Sequence, residues 1–148
     1  MYKKILVAID DSETSTSALT EALHIARTSN AKLYIVHVAD SMIMSMHGRT
    51  FSSTLNIEHA VAEIHKAGKL LLEQAQKSAD GVETETILLS TDNHRVSEVL
   101  AKKAKELDVD LIIIGRHGQR GLATFILGSV AEQLAKIASA SVLLVRKH

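Results

Sequence analysis

Four of the chain's seven glycines, Gly115, Gly118, Gly121 and Gly128, fall within one stretch of fourteen positions, directly after the apolar run Leu111–Ile114. Glycine loses more chain entropy on folding than any other residue, so such a cluster implies backbone turns or close approach of something to bare main chain. Two residues separate Gly115 from Gly118, nine separate Gly118 from Gly128, and Ser129 then opens a helical pattern. A helix start presents unpaired N–H groups and the positive end of a dipole, a setting that suits phosphate. Gly128 would let a phosphate reach those amides, and the Ser129 hydroxyl could add a donor or cap the helix. Gly118 leaves room for a second phosphate or a ribose, and Arg116, Arg120 and His117 supply cationic donors. Taken singly, each glycine also fits ordinary turn and capping chemistry. The spacing is neither GxxxxGK[ST], because no lysine precedes Ser129, nor GxGxxG.

The other reactive side chains point to no catalytic set. Asp10-Asp11 after the first apolar run resembles the acid pair of a phosphoacceptor domain. That reading needs an aspartate at the end of the third strand, where Asp92 comes two or three residues late, and a lysine after the last, where Lys147 stands in the tail. His59 and His65 are six apart, so they do not share a helix face as metal ligands; both read as solvated. His37, inside the second apolar run, reads as a half-buried, hydrogen-bonded residue, His24 likewise, and His94 has no evident partner. Ser129 has no histidine near it in sequence and His117 no evident acid, so a dedicated hydrolase or kinase is not indicated.

The elements that must position these residues are legible as apolar patterns. Three near-continuous runs, Lys4–Ile9, Leu33–Val38 and Leu111–Ile114, read as buried parallel strands. Val142–Val145 makes a fourth, and Val82–Leu89, which alternates in its first half, reads as an edge strand. Helical periodicity fills Ser12–Thr28, with Asp11 or Ser12 as N-cap, then Asn56–Ala79, stopped by Asp80-Gly81, then Asn93–Leu107 and Ser129–Ala138. The stripe in the second helix includes Ile57, Ala60, Val61, Ile64, Leu71, Leu72 and Ala75. That in the last includes Val130, Leu134 and Ile137. Strands alternating with helices imply one α/β domain over residues 1–148, with helices on both faces of a parallel sheet. Ala39–Leu55, where Met42, Met44 and Met46 alternate, is the one long irregular segment; packing or disorder is favoured there over a lid on a ligand.

Bulk composition narrows the functional classes. With 17 basic and 17 acidic side chains, the formal charge is zero, which leaves no footprint for nucleic acid or an anionic membrane. No apolar run is long enough to span a bilayer, and MYKKILVAIDDSE lacks the apolar stretch of a signal peptide. The absence of cysteine excludes disulfides, thiolate zinc sites and a catalytic thiol, and fits the cytoplasm. In open parallel sheets ligands bind beyond the carboxyl ends of the strands, where the strand order reverses. If the first and fourth strands are neighbours there, Asp10-Asp11 and the glycine loop face each other across one crevice.

The motif G-x2-G-x9-G-[ST] at Gly115, Gly118, Gly128 and Ser129 resembles the nucleotide-binding signature of the universal stress protein family, in its UspA-like, ATP-binding branch. KKILVAIDDSETSTSAL, HVAD, DLIIIGRHG and LGSVAEQLAKIASASVLLVR are similar to the family over essentially the whole chain. The resemblance implies a three-layer α/β sandwich with a five-stranded parallel sheet in the order 3-2-1-4-5, of the adenine nucleotide alpha hydrolase-like, Rossmann-like kind. It implies ATP, or another adenine nucleotide, with Mg²⁺ carried on the phosphates. By position, Ala8, Ile9 and Asp10 would line the base and ribose, and Val38 would pack on adenine. Gly115, His117 and Gly118 would form a wall below ribose and phosphates, and Gly128, Ser129 and Val130 would hold the phosphates by main-chain N–H groups. Arg116, where the family has Ser or Thr, would grip a phosphate or point to solvent. The resemblance also implies a cytoplasmic homodimer joined through Val142, Leu143, Leu144 and Val145.

Three readings follow: an ATP-binding, dimeric module or switch in the stress response, with an unidentified protein partner; a nucleotide-free dimeric interaction protein in which the glycines are structural; and a slow ATPase.

Overall fold

The computed structural model describes residues 1–40, 54–117 and 128–147. Along the chain run β1 (Lys4–Ala8), α1 (Glu13–Ser29), β2 (Lys32–Ala39), α2 (Thr54–Lys77), β3 (Thr84–Ser90), α3 (Val96–Glu106), β4 (Leu111–Gly115), α4 (Ser129–Ile137) and β5 (Ser141–Val145). The strands form one parallel sheet in the order β3-β2-β1-β4-β5. Both the fold class and the strand order expected from the sequence are therefore met, with β3 at an edge.

The side-chain alternation of each strand sorts the core into two layers. Ile5, Val7, Ile9, Leu33, Ile35, Leu111 and Ile113 meet Ala18, Ala22 and Ala26 of α1 and Leu72 and Ala75 of α2. Leu6, Val36, Ile112 and Ile114 meet Leu100 and Ala104 of α3 and Ala131 and Leu134 of α4 on the other face. Small alanines on α1 let that helix lie close to the sheet. The central strands are buried on both faces, hence their unbroken apolar runs.

Element ends follow local chemistry. Ser12 is the N-cap of α1, its hydroxyl accepting the Ser15 N–H at 3.2 Å, and Asn30 ends that helix with φ 52°. The third helix starts at Val96, not at Asn93, because Asp92 and Asn93 hold φ values of 43° and 70°, outside helical space. Glu98 reaches back to accept the Arg95 N–H at 3.1 Å at this start. The second helix stops at Lys77, earlier than Ala79. Ser78 and Ala79 then form tighter turns onto Ala75 and Gln76, and Gly81 reverses the chain at φ 75°. Accordingly β3 begins at Thr84 rather than Val82.

Two members of the apolar stripes are exposed: Ile57 at 43% and Ile137 at 44%. At 1.5 Å per residue α2 is roughly 36 Å long, against roughly 26 Å for an eight-residue strand, and its buried core residues, Leu72 and Ala75, lie in its second half. Ile137 is the last residue of α4, where the chain turns extended at Ala138 (ψ 139°) toward β5.

Candidate functional site

The order β3-β2-β1-β4-β5 places the reversal of chain direction across the sheet between β1 and β4. Their last paired residues are Ala8 and Ile114. Asp10 follows on one side and Arg116-His117 on the other, at the two ends expected to flank a crevice.

Asp10 is held by its own turn. Its N–H donates to Ser15 Oγ at 2.8 Å, and its Oδ1 accepts the Ser12 N–H at 2.9 Å. The second carboxylate oxygen makes no hydrogen bond among the described residues, so an acceptor remains at the rim. Asp-x-Ser is ordinary Asx-turn chemistry. That signal could have marked Ser12 as a residue that orients Asp10; Ser15, five positions on, lies outside it. Asp11 is exposed.

Across the crevice, Gly115 ends β4 in a buried position. A Cβ there would lie 2.8 Å from Thr14 Oγ1 and 3.0 Å from both the main-chain carbonyl carbon and Cβ of Thr14. The side chain is thus missing because α1 occupies its place. The Thr14 hydroxyl in turn donates to the His117 carbonyl, a tie between α1 and the loop start that composition alone does not reveal. Arg116 and His117 are half-buried, and the Arg116 N–H donates to the Val145 carbonyl at 2.8 Å.

Gly128 is the N-cap of α4, with φ −58° and ψ 144°. Its own N–H is engaged, donating to the Arg116 carbonyl at 2.8 Å, and its carbonyl accepts from Glu132 N–H at 2.9 Å. That bond from Gly128 to Arg116 pins the start of α4 to the end of β4. Gly128 has no side chain to cap the amides that follow, Ser129 is exposed, and Val130 is half-buried. The N–H of Gly128 is thus taken up by Arg116, and the amides that open α4 are those after it.

The apolar candidates divide by face. Ala8, Val38 and Val130 are partly buried against the α3/α4 core and lie on one side of the sheet. Ile9 is 7% exposed and packs into the opposite, α1/α2 core. It therefore offers the crevice main chain rather than a side chain, because successive strand residues face opposite ways. Gly118, Arg120, Gly121 and the methionines Met42, Met44 and Met46 lie outside the described residues.

Several side chains fall elsewhere than expected. His24 is exposed. His65 is half-buried, its Nε2 3.3 Å from Ser90 Oγ. The Nδ1 of His94 lies 3.1 Å from the Asp92 carbonyl. His37 meets its expectation, half-buried with Nδ1 2.7 Å from the Ile9 carbonyl. Lys147 is paired with the Glu13 carboxylate, which takes it away from the role a phosphoacceptor domain requires. Among the described residues there is no cluster of three or more His, Asp or Glu placed to hold a metal, and no helix is long and apolar enough to cross a membrane.

Comparison with known proteins agrees with this architecture. The model of the universal stress protein family matches residues 1–146. Universal stress protein YxiE of Bacillus subtilis is 35% identical over 151 aligned positions, covering 99% of this chain and 100% of that protein. The solved structure of protein MJ0577 superposes with a TM-score of 0.84 at 27% identity, covering 100% of this chain and 98% of the other. A universal stress protein in complex with cAMP superposes at 0.71 with 26% identity over 99% of each chain. One from Archaeoglobus fulgidus in complex with dAMP does so at 0.64 with 25% identity, over 97% of this chain and 98% of that one. With its sheet order, its crevice and a match that runs nearly end to end, the chain belongs to the universal stress protein family.

Proposed function

We propose that this protein binds an adenine nucleotide, ATP with Mg²⁺ in the first place, in the crevice between β1 and β4, and serves as a dimeric, nucleotide-dependent module of the cytoplasm. The observation that carries the reading is the start of α4: a helix N-terminus that no side chain caps among the described residues, pinned by Gly128 to the end of β4, at the point where the sheet reverses its order. Around it stand the parts that an adenine nucleotide needs. Ala8, Val38 and Val130 offer a partly exposed apolar wall for the base. The unengaged oxygen of Asp10 suits a ribose hydroxyl. The amides of Ser129 and Val130 suit phosphate, and Arg116 and His117 add donors. A bound Mg²⁺ would neutralise phosphate charge and be held through the phosphates. Relatives that hold cAMP and dAMP support the nucleotide class. Pairing through Val142–Val145 is the proposed route to a dimer, since β5 is the outer strand of the sheet.

A second reading, a nucleotide-free interaction protein, draws on Gly115 and Gly128. The first is required by the closeness of Thr14, and the N–H of the second is spent on Arg116. Titration calorimetry of nucleotide-stripped protein with Mg-ATP separates the two, with Gly128→Val as control. The φ and ψ of Gly128 suit any residue, so valine meets no backbone strain there, and its branched side chain would stand over the amides. Micromolar binding that is lost in the variant supports the nucleotide reading. Absence of binding by the parent protein supports the second.

A further inference from the structure

We infer that His37 is a positioning residue of the candidate site, acting through the Ile9 carbonyl on Asp10, and that Gly68 provides the room this requires. The inference rests on the nucleotide reading for its effect on affinity, but not for its effect on Asp10.

Parallel pairing of β1 with both neighbours ends at Ala8, opposite Val36 and Ile114. One more main-chain bond follows, from the Ile9 N–H to the Val36 carbonyl at 2.8 Å. The next peptide unit, made of the Ile9 carbonyl and the Asp10 N–H, is the first that the sheet no longer holds. Side chains hold it at both ends. His37 Nδ1 is 2.7 Å from the carbonyl oxygen, and Ser15 Oγ accepts the N–H at 2.8 Å. A carbonyl can only accept, so Nδ1 carries the proton, and in the neutral ring Nε2 is the bare nitrogen. With its preceding peptide plane fixed, Asp10 closes the Asx turn onto Ser12. His37 therefore continues the work of the β1–β2 ladder one step past its end, on the residue that carries the crevice's carboxylate.

Gly68 lies inside α2, where glycine is a poorer helix former than alanine. A Cβ at this position would stand 2.9 Å from His37 Cδ2 and 2.8 Å from Leu88 Cδ1. The helix gives up propensity at the one turn that lies over the imidazole. Leu88 could swing its methyl away, but a ring held at Nδ1 could yield only by stretching its bond to Ile9.

The test compares His37→Asn, whose amide nitrogen can stand near the Nδ1 position, with His37→Gln, whose amide reaches toward the Nε2 position, and His37→Leu, which has no donor. Amide hydrogen exchange at Asp10 and Ser12 is read relative to Leu6 and Ile112 in the sheet centre, which corrects for global stability. Loss of one hydrogen bond predicts about tenfold faster relative exchange in the Gln and Leu variants, and near-parent rates in the Asn variant. The dissociation constant for Mg-ATP should rise about tenfold in the same two variants and be rescued in the Asn variant. Equal losses of thermal stability in all three variants, with relative exchange at Asp10 unchanged, overturn the inference and leave His37 a core residue. If the parent protein takes up no Mg-ATP but Asp10 exchange still follows the donor, the positioning role stands and the nucleotide reading falls.

Discussion

Replacing Gly115 by alanine puts a methyl group where α1 already stands. Gly115 is not among the residues with positive φ, so its conformation does not demand glycine; its surroundings do. The added Cβ would meet Thr14 Oγ1 at 2.8 Å and the Thr14 carbonyl carbon and Cβ at 3.0 Å. Two of those three atoms move only if the first turn of α1 moves, and overpacking of this kind costs about 1–3 kcal/mol. Against it stands a gain of about 0.4–1 kcal/mol from the stiffer unfolded chain. The expected net loss is about 1–2 kcal/mol. For a domain of this size that lowers the melting temperature by about 3–6 °C. Urea denaturation followed by circular dichroism should show a lower midpoint at unchanged slope. Adding Thr14→Ala removes the contact at 2.8 Å but keeps both at 3.0 Å, and it forfeits the bond to the His117 carbonyl, so the double variant should not regain parent stability. If Gly115→Ala is as stable as the parent or more so, α1 does not press on the end of β4, and the glycine must be explained by a ligand instead.

Further outcomes are expected at other points of the framework. Ser12→Ala removes the N-cap acceptor of α1 and should cost about 1 kcal/mol in the same denaturation assay. Gly68→Ala should leave stability within about 1–2 kcal/mol of the parent, because helix propensity offsets part of the crowding, yet should speed Asp10 amide exchange as His37→Gln does. Asp10→Asn keeps the Asx turn but removes the negative charge. It should weaken Mg-ATP binding in calorimetry, and a change below twofold would remove the carboxylate from the ribose role. Glu106 accepts a hydrogen bond from Lys103 at 2.7 Å, and that bond, with the lysine's charge, holds its carboxyl below the ordinary value. The pair's contribution is therefore complete above the ordinary glutamate pKa and is lost as pH falls through the lowered one. An NMR titration should place the Glu106 midpoint below that of a free glutamate, and Lys103→Ala should return it.

The sheet was legible because burial on both faces leaves no room for polar side chains: KILVA and LIIIG can hardly be read otherwise. The alternation in the first half of the third strand showed an edge for the same reason. Helix boundaries were less legible where the deciding variable is a backbone angle. Nothing in the types of Asp92 and Asn93 excludes a helix start, yet their left-handed conformations do. The candidate site was legible as a motif, but not in the reasons for its parts. Spacing marked Gly115 and Gly128; only packing shows that the first answers to Thr14 and that the second lends its N–H to Arg116. Position along the chain sets Ile9 between Ala8 and Asp10, but strand alternation decides which core its side chain enters. The link from His37 to Ile9 joins residues 28 positions apart, beyond the reach of any local pattern.

The division of β1 between two layers has a consequence for how such a gene can change. Ile5, Val7 and Ile9 serve one core while Leu6 and Ala8 serve the other, and Asp10 begins the turn that follows. Substituting any one of these residues disturbs one layer. Inserting or deleting a single codon between Lys4 and Ile9 would exchange the faces of the strand residues beyond it, sending side chains of the α1/α2 layer toward α3 and α4 and the reverse. Length in this stretch is therefore under far stricter constraint than identity. A library of one-codon insertions should lose folded protein throughout β1, while aliphatic replacements at the same positions persist.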